Sequence, residues 1–242
     1  FVEQGSLSMQ LENGRRSLGD IAMDPKKVSF LQMPVELFLC PSDTSGNLSH
    51  DYRSIYVTVA GPYSGSQRSL NDPRLLPHIG TPTMGVSFKM AKSNYIGNHG
   101  SSWKSRRSDW SDSDFEGNGL FGRNSTVNFS KVLDGSSNTL AVGERSLKNY
   151  AAVWPGNNSS LGCGFKDNQM ILGTAFYPIN DPPISLNIDC DGRGSANFSS
   201  YHPGGANFAF ADGSTHFLSG TIEPEVYRNL AQRNDGEIPG EY

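Results

Sequence analysis

The chain has 242 residues, of which 36% are hydrophobic, 10% aromatic and 18% charged, and its formal net charge is −4. This composition provides enough apolar residues for a folded core, so it excludes an intrinsically disordered chain. The net negative charge excludes the electrostatic footprint of a nucleic-acid-binding domain, and there is no run of about 18 apolar residues that would predict a membrane-spanning helix.

The first sixty residues predict two short helical segments followed by strands. Scattered leucines predict a short helix around Leu7–Leu11, which Asn13-Gly14 ends. The segment Asp24–Val28, with a proline at its second position, predicts another helical turn. Val35–Cys40 is apolar and lies between prolines, which predicts a buried strand. Ile55–Ala60 is rich in β-branched and aromatic residues and predicts a further strand.

Three long segments without periodicity separate the later elements, and such segments are usually functional or particular to a family. They span residues 61–83, 100–118 and 155–195. Between them, Leu140–Glu144 predicts a mostly apolar strand that ends in a carboxylate. Because a buried carboxylate needs a partner, Glu144 is predicted to pair with Arg123, Arg145 or a backbone amide. It would then be a brace between sheet and loop or, alternatively, a site carboxylate.

Residues 201–218 form the most specific pattern: a glycine-rich entry, a short strand, Asp212-Gly213 and a second strand. Asp-Gly between two apolar runs predicts a hairpin with a two-residue type I′ turn. That register places Phe208 opposite Phe217. Since strand side chains alternate, Phe208, Phe210 and Phe217 would then share one buried face.

One helix is predicted after the hairpin, and it completes the expected fold. Pro224 fits its first turn, and Asn234-Asp235-Gly236 ends it. Its apolar stripe consists of Val226, Tyr227, Leu230 and Ala231. The 27 glycines and 14 prolines argue against long helices. The predicted fold class is therefore α+β, with an antiparallel β-sheet, long loop insertions and few short helices.

Five segments together carry a family resemblance, and the last of them is a histidine followed after nine residues by Asp-Gly. They are Phe1–Gln4, Val35–Asp43 with its Cys-Pro-Ser-Asp end, Ser93–Asn98, Asp134–Thr139 with Gly143–Arg145, and His202–Gly213. In these motifs and in their order, residues 1–213 resemble the prepilin-type, H-x9-DG pseudopilin-like proteins of planctomycete-type bacteria.

The resemblance implies a single globular pilin-like head domain over residues 1–242. The apolar N-terminal helix of such proteins, which anchors them in the inner membrane and builds the filament core, is expected to be absent from this chain. The implied function is structural and not enzymatic: a subunit of an extracellular filament or of a type II secretion or type IV pilus-like system. The implied location is the cell surface, with self-association as the partnership and no nucleic acid.

Structural roles are predicted for most of the motif residues. Asp212 tolerates the left-handed backbone region and Gly213 adopts it without cost, so both suit a turn. His202, which precedes Pro203, Gly204 and Gly205, is interpreted as a hydrogen-bonding brace in preference to a base. Asn138 and Glu144 complete the set of motif residues with predicted structural roles.

The three cysteines predict one disulfide and one unpaired thiol. Cys163 and Cys190 flank a segment that contains glycine and proline, and a disulfide between them would suit an exported protein with many loops. Cys40 would then be unpaired, and the resemblance implies that its partner was lost with the N-terminal helix. The alternative is three free thiols.

Cofactors are not predicted, with the exception of calcium. Several pseudopilins carry a structural calcium ion, and the alternating oxygen ligands of Asn187, Asp189 and Asp191 suit such a hard cation; the alternative is a polar loop. No His-Glu-x-x-His, His-x-His or paired Cys-x-x-Cys spacing supports a catalytic metal at His202 and His216. No nucleophile elbow, P-loop or dinucleotide fingerprint occurs.

A carbohydrate- or surface-binding module is the alternative function. Aromatic side chains on long loops stack on sugars, and the candidates are Trp103, Trp110, Trp154 and Tyr63. Exposed, coplanar tryptophans would favour this binding function, with a polysaccharide as the ligand. Tryptophans buried under loops would favour a filament subunit.

Overall fold

The computed structural model describes most of the chain, and its fold is α+β with short α-helices, three of which have described bounds. The described residues are 4–12, 15, 18, 21, 24–49, 55–56, 87–101, 117–122, 125–156, 171–182, 196–237 and 239–242. The helices with described bounds are α1 (Gly5–Gln10), α2 (Pro25–Leu31) and α3 (Pro224–Ala231). No described helix has the length and apolar character needed to cross a bilayer. The predicted fold class is confirmed.

Nine strands form one large sheet and two small ones within the described residues. They are β1 (Ile55–Tyr56), β2 (Ser87–Phe88), β3 (Lys92–Ser93), β4 (Tyr95–Gly100), β5 (Leu140–Glu144), β6 (Ala152–Val153), β7 (Leu172–Thr174), β8 (Gly205–Phe210) and β9 (Thr215–Ser219). The main sheet has the order β7-β4-β5-β8-β9, while β1 pairs with β2 and β3 with β6. The main sheet is mixed and not purely antiparallel as predicted, because β7 runs parallel to β4 while the other neighbours are antiparallel.

Several elements lie where the sequence predicts them, because local signals fix their ends. The side chain of Asp24 caps α2 by accepting a hydrogen bond from the amide of Lys26, and a proline occupies the first turn. Glu223 caps α3 in the same way, ahead of Pro224. Strand β5 has the predicted bounds of Leu140–Glu144.

The predicted buried strand Val35–Cys40 is wrong. This segment contains a 3-10 turn over Glu36–Phe38, closed by bonds from Phe38 N to Val35 O (2.9 Å) and from Leu39 N to Glu36 O (3.0 Å). Leu37 is 64% exposed. The carbonyl of Phe38 accepts a single hydrogen bond from Asn94 N (2.7 Å) in place of a strand ladder. A tertiary contact therefore overrides the local apolar signal.

The predicted hairpin exists, but its register is off by one residue. Asn207 lies opposite Phe217 and Phe208 opposite His216. The loop has three residues, because Gly213 N donates to Phe210 O (3.0 Å) and Phe210 N donates to Ser214 O (2.9 Å). Gly213 adopts φ 88°, as the bulge residue of a three-residue hairpin does. A slip of one residue moves a side chain to the other face, so Phe217 is 50% exposed while Phe208 is 1% exposed.

The main core lies between one face of the main sheet and α3. Phe208 packs edge-to-face against Phe198 (5.1 Å between ring centroids) and against Tyr227 of α3 (6.0 Å). The other buried members include Ile96, Leu140, Leu218 and Leu230. This face therefore forms the usual sheet-on-helix layer.

A second core belongs to the N-terminal segments. Leu7 of α1 and Leu31 of α2 are buried against Met90 and Val153. The indole nitrogen of Trp154 donates to Met33 O (3.0 Å), and the ring packs on this core. The N-terminal segments, which we call the N-terminal layer (residues 4–49), thus have apolar packing of their own.

Two matched substitutions test the observed register. Phe208→Ala should lower the free energy of unfolding by about 3–5 kcal/mol, because it opens a cavity in the main core. Phe217→Ala should cost less than about 1 kcal/mol, because half of its ring already faces solvent. Urea unfolding of both variants gives the two values. Equal large losses would support the two-residue turn and contradict the observed pairing.

Candidate functional site

Four of the sequence motifs meet on the outer face of the main sheet, opposite the main core. Asn207 lies on this face because it precedes the buried Phe208, and strand side chains alternate. Glu144 at the end of β5 lies opposite Tyr95 of β4 and bonds to Asn207 of β8. The turn at Cys40–Asp43 and the loop at His202 cover this row of side chains.

Asp43 is a buried carboxylate with partners on both oxygens. Its Oδ1 lies 3.2 Å from Lys92 Nζ, and both side chains are 1% exposed. The same oxygen accepts from the amide (3.1 Å) and the hydroxyl of Ser45. Its Oδ2 accepts from Asn94 Nδ2 (2.6 Å) and from Leu147 N (3.0 Å). Asp43 thereby joins the N-terminal layer to strand β3 and to the segment after β5.

Asn94 extends this network to the backbone on either side. Its Oδ1 accepts from Cys40 N (3.0 Å), and its Nδ2 also donates to Arg145 O (3.0 Å). Its own carbonyl accepts from Arg145 N (2.6 Å). Each end of the Asn94 amide is therefore satisfied in the interior, as a buried polar group requires.

Hydrogen bonding controls the charge state of Asp43. Burial acts to raise the pKa of this carboxyl, but the hydrogen bonds from Ser45, Asn94 and Leu147 together outweigh it and hold the pKa below its ordinary value. The carboxylate is therefore stabilised in its charged form, opposite the ammonium group of Lys92.

Beside this network, three potential ligand atoms converge. Cys40 Sγ lies 3.6 Å from Glu144 Oε1 and 3.6 Å from His202 Nε2. His202 Nε2 lies 3.3 Å from Glu144 Oε1. Cys40 and Glu144 are buried, while the imidazole is 31% exposed. We call these three side chains the Cys40–Glu144–His202 cluster.

Glu144 is fixed by strand β8. Its Oε2 accepts from the amide nitrogen (2.7 Å) and the side-chain Nδ2 (3.2 Å) of Asn207, so the backbone amide among its predicted partners is present. The guanidinium of Arg145, also a predicted partner, donates to Asn197 O (3.0 Å) and Leu172 O (2.9 Å). Arg123, another predicted partner, lies outside the described residues.

The cluster does not have the geometry of a nucleophilic relay. In such a relay one imidazole nitrogen contacts the nucleophile and the other contacts the orienting carboxylate. Here Nε2 of His202 contacts both the thiol and Glu144. Burial, and then the charge of Glu144, raises the pKa of the Cys40 thiol, which is opposite to what an activated thiolate needs. The pKa of Tyr95 is also raised, by burial and then by Cys40 and Glu144.

The glycines and the turn residues predicted as structural have structural contacts. Gly204 adopts φ 82°, and a Cβ on Gly205 would lie 2.0 Å from Leu218 O. Asp212 Oδ1 accepts from the amide (2.8 Å) and the hydroxyl (2.7 Å) of Ser214. These bonds lower the pKa of Asp212. Asn138 Nδ2 donates to Asp134 O (3.1 Å) and so closes a neighbouring turn.

The remaining predicted site residues cannot be placed at this site. Cys163 and Cys190, and the calcium candidates Asn187, Asp189 and Asp191, lie outside the described residues, so the disulfide and the calcium site stay predictions. Cys40 is a free thiol. Of the aromatic candidates for sugar stacking, Trp154 is partly buried on the second core. Trp103, Trp110 and Tyr63 also lie outside the described part of the chain.

Sequence reasoning missed the roles of Asp43, Lys92 and Asn94. The motifs Cys-Pro-Ser-Asp and Ser-Asn-Tyr drew attention to two of these residues, but no spacing rule indicates that motifs 51 residues apart share a hydrogen bond. Lys92 carries no motif signal, because a lysine is expected to be exposed to solvent unless a partner for its charge is known.

Comparisons with known proteins identify a family for the chain but no activity. The family model described as "Protein of unknown function (DUF1559)" matches residues 1–225. No curated protein matches the chain, and no solved structure does so.

The Asp43–Lys92 pair gives a stability prediction. Asp43→Asn should lower the free energy of unfolding by about 3–5 kcal/mol, because it leaves the Lys92 ammonium buried without its counter-charge. Asp212→Asn is the matched control and should cost under about 0.5 kcal/mol, because Asp212 is exposed and asparagine retains an acceptor oxygen. Similar losses in both variants would contradict this role of the pair.

The lowered pKa of Asp43 predicts how the stability of the protein depends on pH. The folded-state pKa of Asp43 is below its unfolded value of about 3.9, so its stabilisation is fully present above that pH and is lost as the pH falls through the folded-state pKa. The stability difference between wild type and Asp43→Asn should therefore be constant near neutral pH and narrow in acid. Urea unfolding across this pH range measures it, and a difference that widens in acid would contradict the assignment.

Proposed function

The chain belongs to the DUF1559 family, and from that premise we propose that it is a pilin-like or pseudopilin-like structural subunit of an extracellular filament or of a type IV pilus-like or type II secretion assembly. The proposal includes self-association, a location outside the cytoplasmic membrane and no enzymatic activity. It rests on the sequence resemblance in the H-x9-DG motif and the four other motif segments. It also rests on the contacts that these motif residues make in the fold.

One observation carries the proposal: among the described residues, the motif segments are joined by a continuous network of largely buried hydrogen bonds. Asp43 and Asn94 use their polar atoms on Lys92, Ser45 and backbone groups. Arg145 is 0% exposed and binds backbone carbonyls. Such contacts fix one segment against another. They suit a subunit that must hold its shape within an assembly, because buried, fully satisfied networks make a structure rigid.

The network also connects the parts that an assembly would pull apart. Leu147 N and Ser45 both bond to Asp43, so the N-terminal layer is attached to the end of β5. In pilin-like proteins the apolar helix of the filament core is N-terminal to the head, so a load on that helix would reach the sheet through the segments that follow it. A strong connection between those segments and the sheet is what the proposed function requires.

Four exposed apolar side chains are the candidates for contacts between subunits. Met9 of α1 is 75% exposed and Leu37 is 64% exposed. Phe129 and Leu133, four positions apart in and after a 3-10 turn, are each 73% exposed. Large apolar residues that are exposed this fully favour burial in a protein interface.

Imaging the native material tests the proposal. An antibody raised against this chain should label filaments or a periodic surface structure on intact cells, and cells from which the chain is deleted should lose both label and structure. Label on dispersed single molecules, with surface structures unchanged in the deletion strain, would contradict the proposal.

A surface variant sharpens this experiment. Phe129→Ser/Leu133→Ser should reduce assembly at least tenfold while leaving the folded subunit intact, because both side chains face solvent in the subunit. Phe217→Ser, another exposed aromatic substitution, is the control and should assemble normally. The amount of sedimentable material that carries the label gives the comparison, and equal assembly by all three proteins would overturn this choice of contact surface.

A further inference from the structure

We propose that the Cys40–Glu144–His202 cluster binds one divalent transition-metal ion, and that zinc is its best match. The site would be made by a thiolate sulfur, one carboxylate oxygen and one imidazole nitrogen. This inference is independent of the proposed filament function, because it depends only on three side chains and their surroundings.

The distances between the three atoms are those of ligands around a tetrahedral zinc ion. Zinc binds sulfur at about 2.3 Å and nitrogen or oxygen at about 2.0–2.2 Å, so tetrahedral angles separate a nitrogen and an oxygen ligand by about 3.3 Å and either of them from sulfur by about 3.6 Å. The observed separations are 3.3 Å from His202 Nε2 to Glu144 Oε1 and 3.6 Å from Cys40 Sγ to each of these atoms. All three separations therefore fit one common centre.

The donor set selects the class of metal. Calcium takes six to eight oxygen ligands and magnesium prefers oxygen and water, whereas this cluster offers one oxygen in company with sulfur and nitrogen. Thiolate and imidazole suit zinc and its neighbours in the first transition series. This is a different site from the calcium candidates at 187–191, which lie outside the described residues.

The ligands are held in place by other residues, as a metal site requires. Asn207 holds Glu144 through Oε2, which leaves Oε1 directed at the cluster. Asn94 accepts from Cys40 N (3.0 Å). The hydroxyl of Ser200 accepts from His202 N (2.9 Å) and donates to Gly205 O (2.8 Å), and so fixes the loop that carries the imidazole.

The charges balance. A divalent cation with one thiolate, one carboxylate and a neutral imidazole has no net charge, which favours binding at a position where two of the ligands are buried. On binding, the proton of the thiol leaves to solvent as the sulfur–metal bond forms. His202 is the partly exposed ligand, so water can reach the site and take the fourth position of the tetrahedron.

Cobalt(II) provides the probe, because it replaces zinc in such sites and its spectrum reports a bond to sulfur. Full-length protein stripped of metal should bind one equivalent of cobalt and show a thiolate-to-cobalt charge-transfer band with the visible bands of a tetrahedral complex. Zinc should displace it. Cys40→Ser should lose the charge-transfer band, while Cys163→Ser/Cys190→Ser should keep it.

His202→Gln keeps the experiment decisive if the buried variants fail to fold. This side chain is at the rim of the cluster, so the variant should have the native circular dichroism spectrum and bind zinc at least about a hundredfold more weakly. His216→Gln, a change at another histidine on β9, should bind as the wild type does. Zinc should raise the thermal unfolding midpoint of the wild type and of His216→Gln, with little effect on His202→Gln.

Two results would overturn the site. One is wild-type protein that takes up less than a tenth of an equivalent of cobalt or zinc after reduction. The other is metal binding with the same affinity and spectrum in the wild type and in His202→Gln. In either case the cluster would be a hydrogen-bonded brace alone, of the kind that the sequence predicts for His202.

Discussion

The carboxylate of Asp43 lies in the interior of this protein, so its counter-charge and its hydrogen-bond donors must come from the protein itself. It does so through the ammonium of Lys92, the amide of Asn94 and backbone donors at Ser45 and Leu147. A charge taken out of water at this depth is tolerated only when its partners are already in place. The turn after Cys40, strand β3 and the end of β5 therefore have one mutual arrangement, and the outer face of the main sheet is organised around it.

This polar interior lies between two apolar ones. The main core packs one face of the sheet against α3, and the second core packs α1 and α2 with Met90 and Val153. Apolar packing tolerates many arrangements of similar volume. The Asp43 network does not tolerate many arrangements, because each of its hydrogen bonds requires a particular geometry. The two cores provide most of the driving force for folding, and the network determines how the N-terminal layer meets the sheet.

The same network brings the Cys40–Glu144–His202 cluster together. Cys40 comes from the N-terminal layer, Glu144 from the last position of β5, and His202 from the loop that enters β8. The amide of Asn94 binds both Asp43 and the backbone of Cys40. A metal ion at the cluster would therefore reinforce the connection that Asp43 makes. The proposed filament subunit would gain from both under load, because each holds the N-terminal layer against the sheet.

The local features of this protein could be predicted from its sequence. The α+β class, the proline-containing first turns of α2 and α3, strand β5 and the presence of the hairpin all follow from signals within a few residues. The sequence did not predict the 3-10 turn within Val35–Cys40, the parallel pairing of β7 with β4 or the three-residue loop at Ala211–Gly213, which depend on the folded arrangement. The tertiary structure alone placed Cys40 3.6 Å from His202, at a separation of 162 residues in the chain. Short-range propensity sets the conformation of a segment, whereas contacts of this range depend on packing and on the satisfaction of buried charges, which no single segment contains.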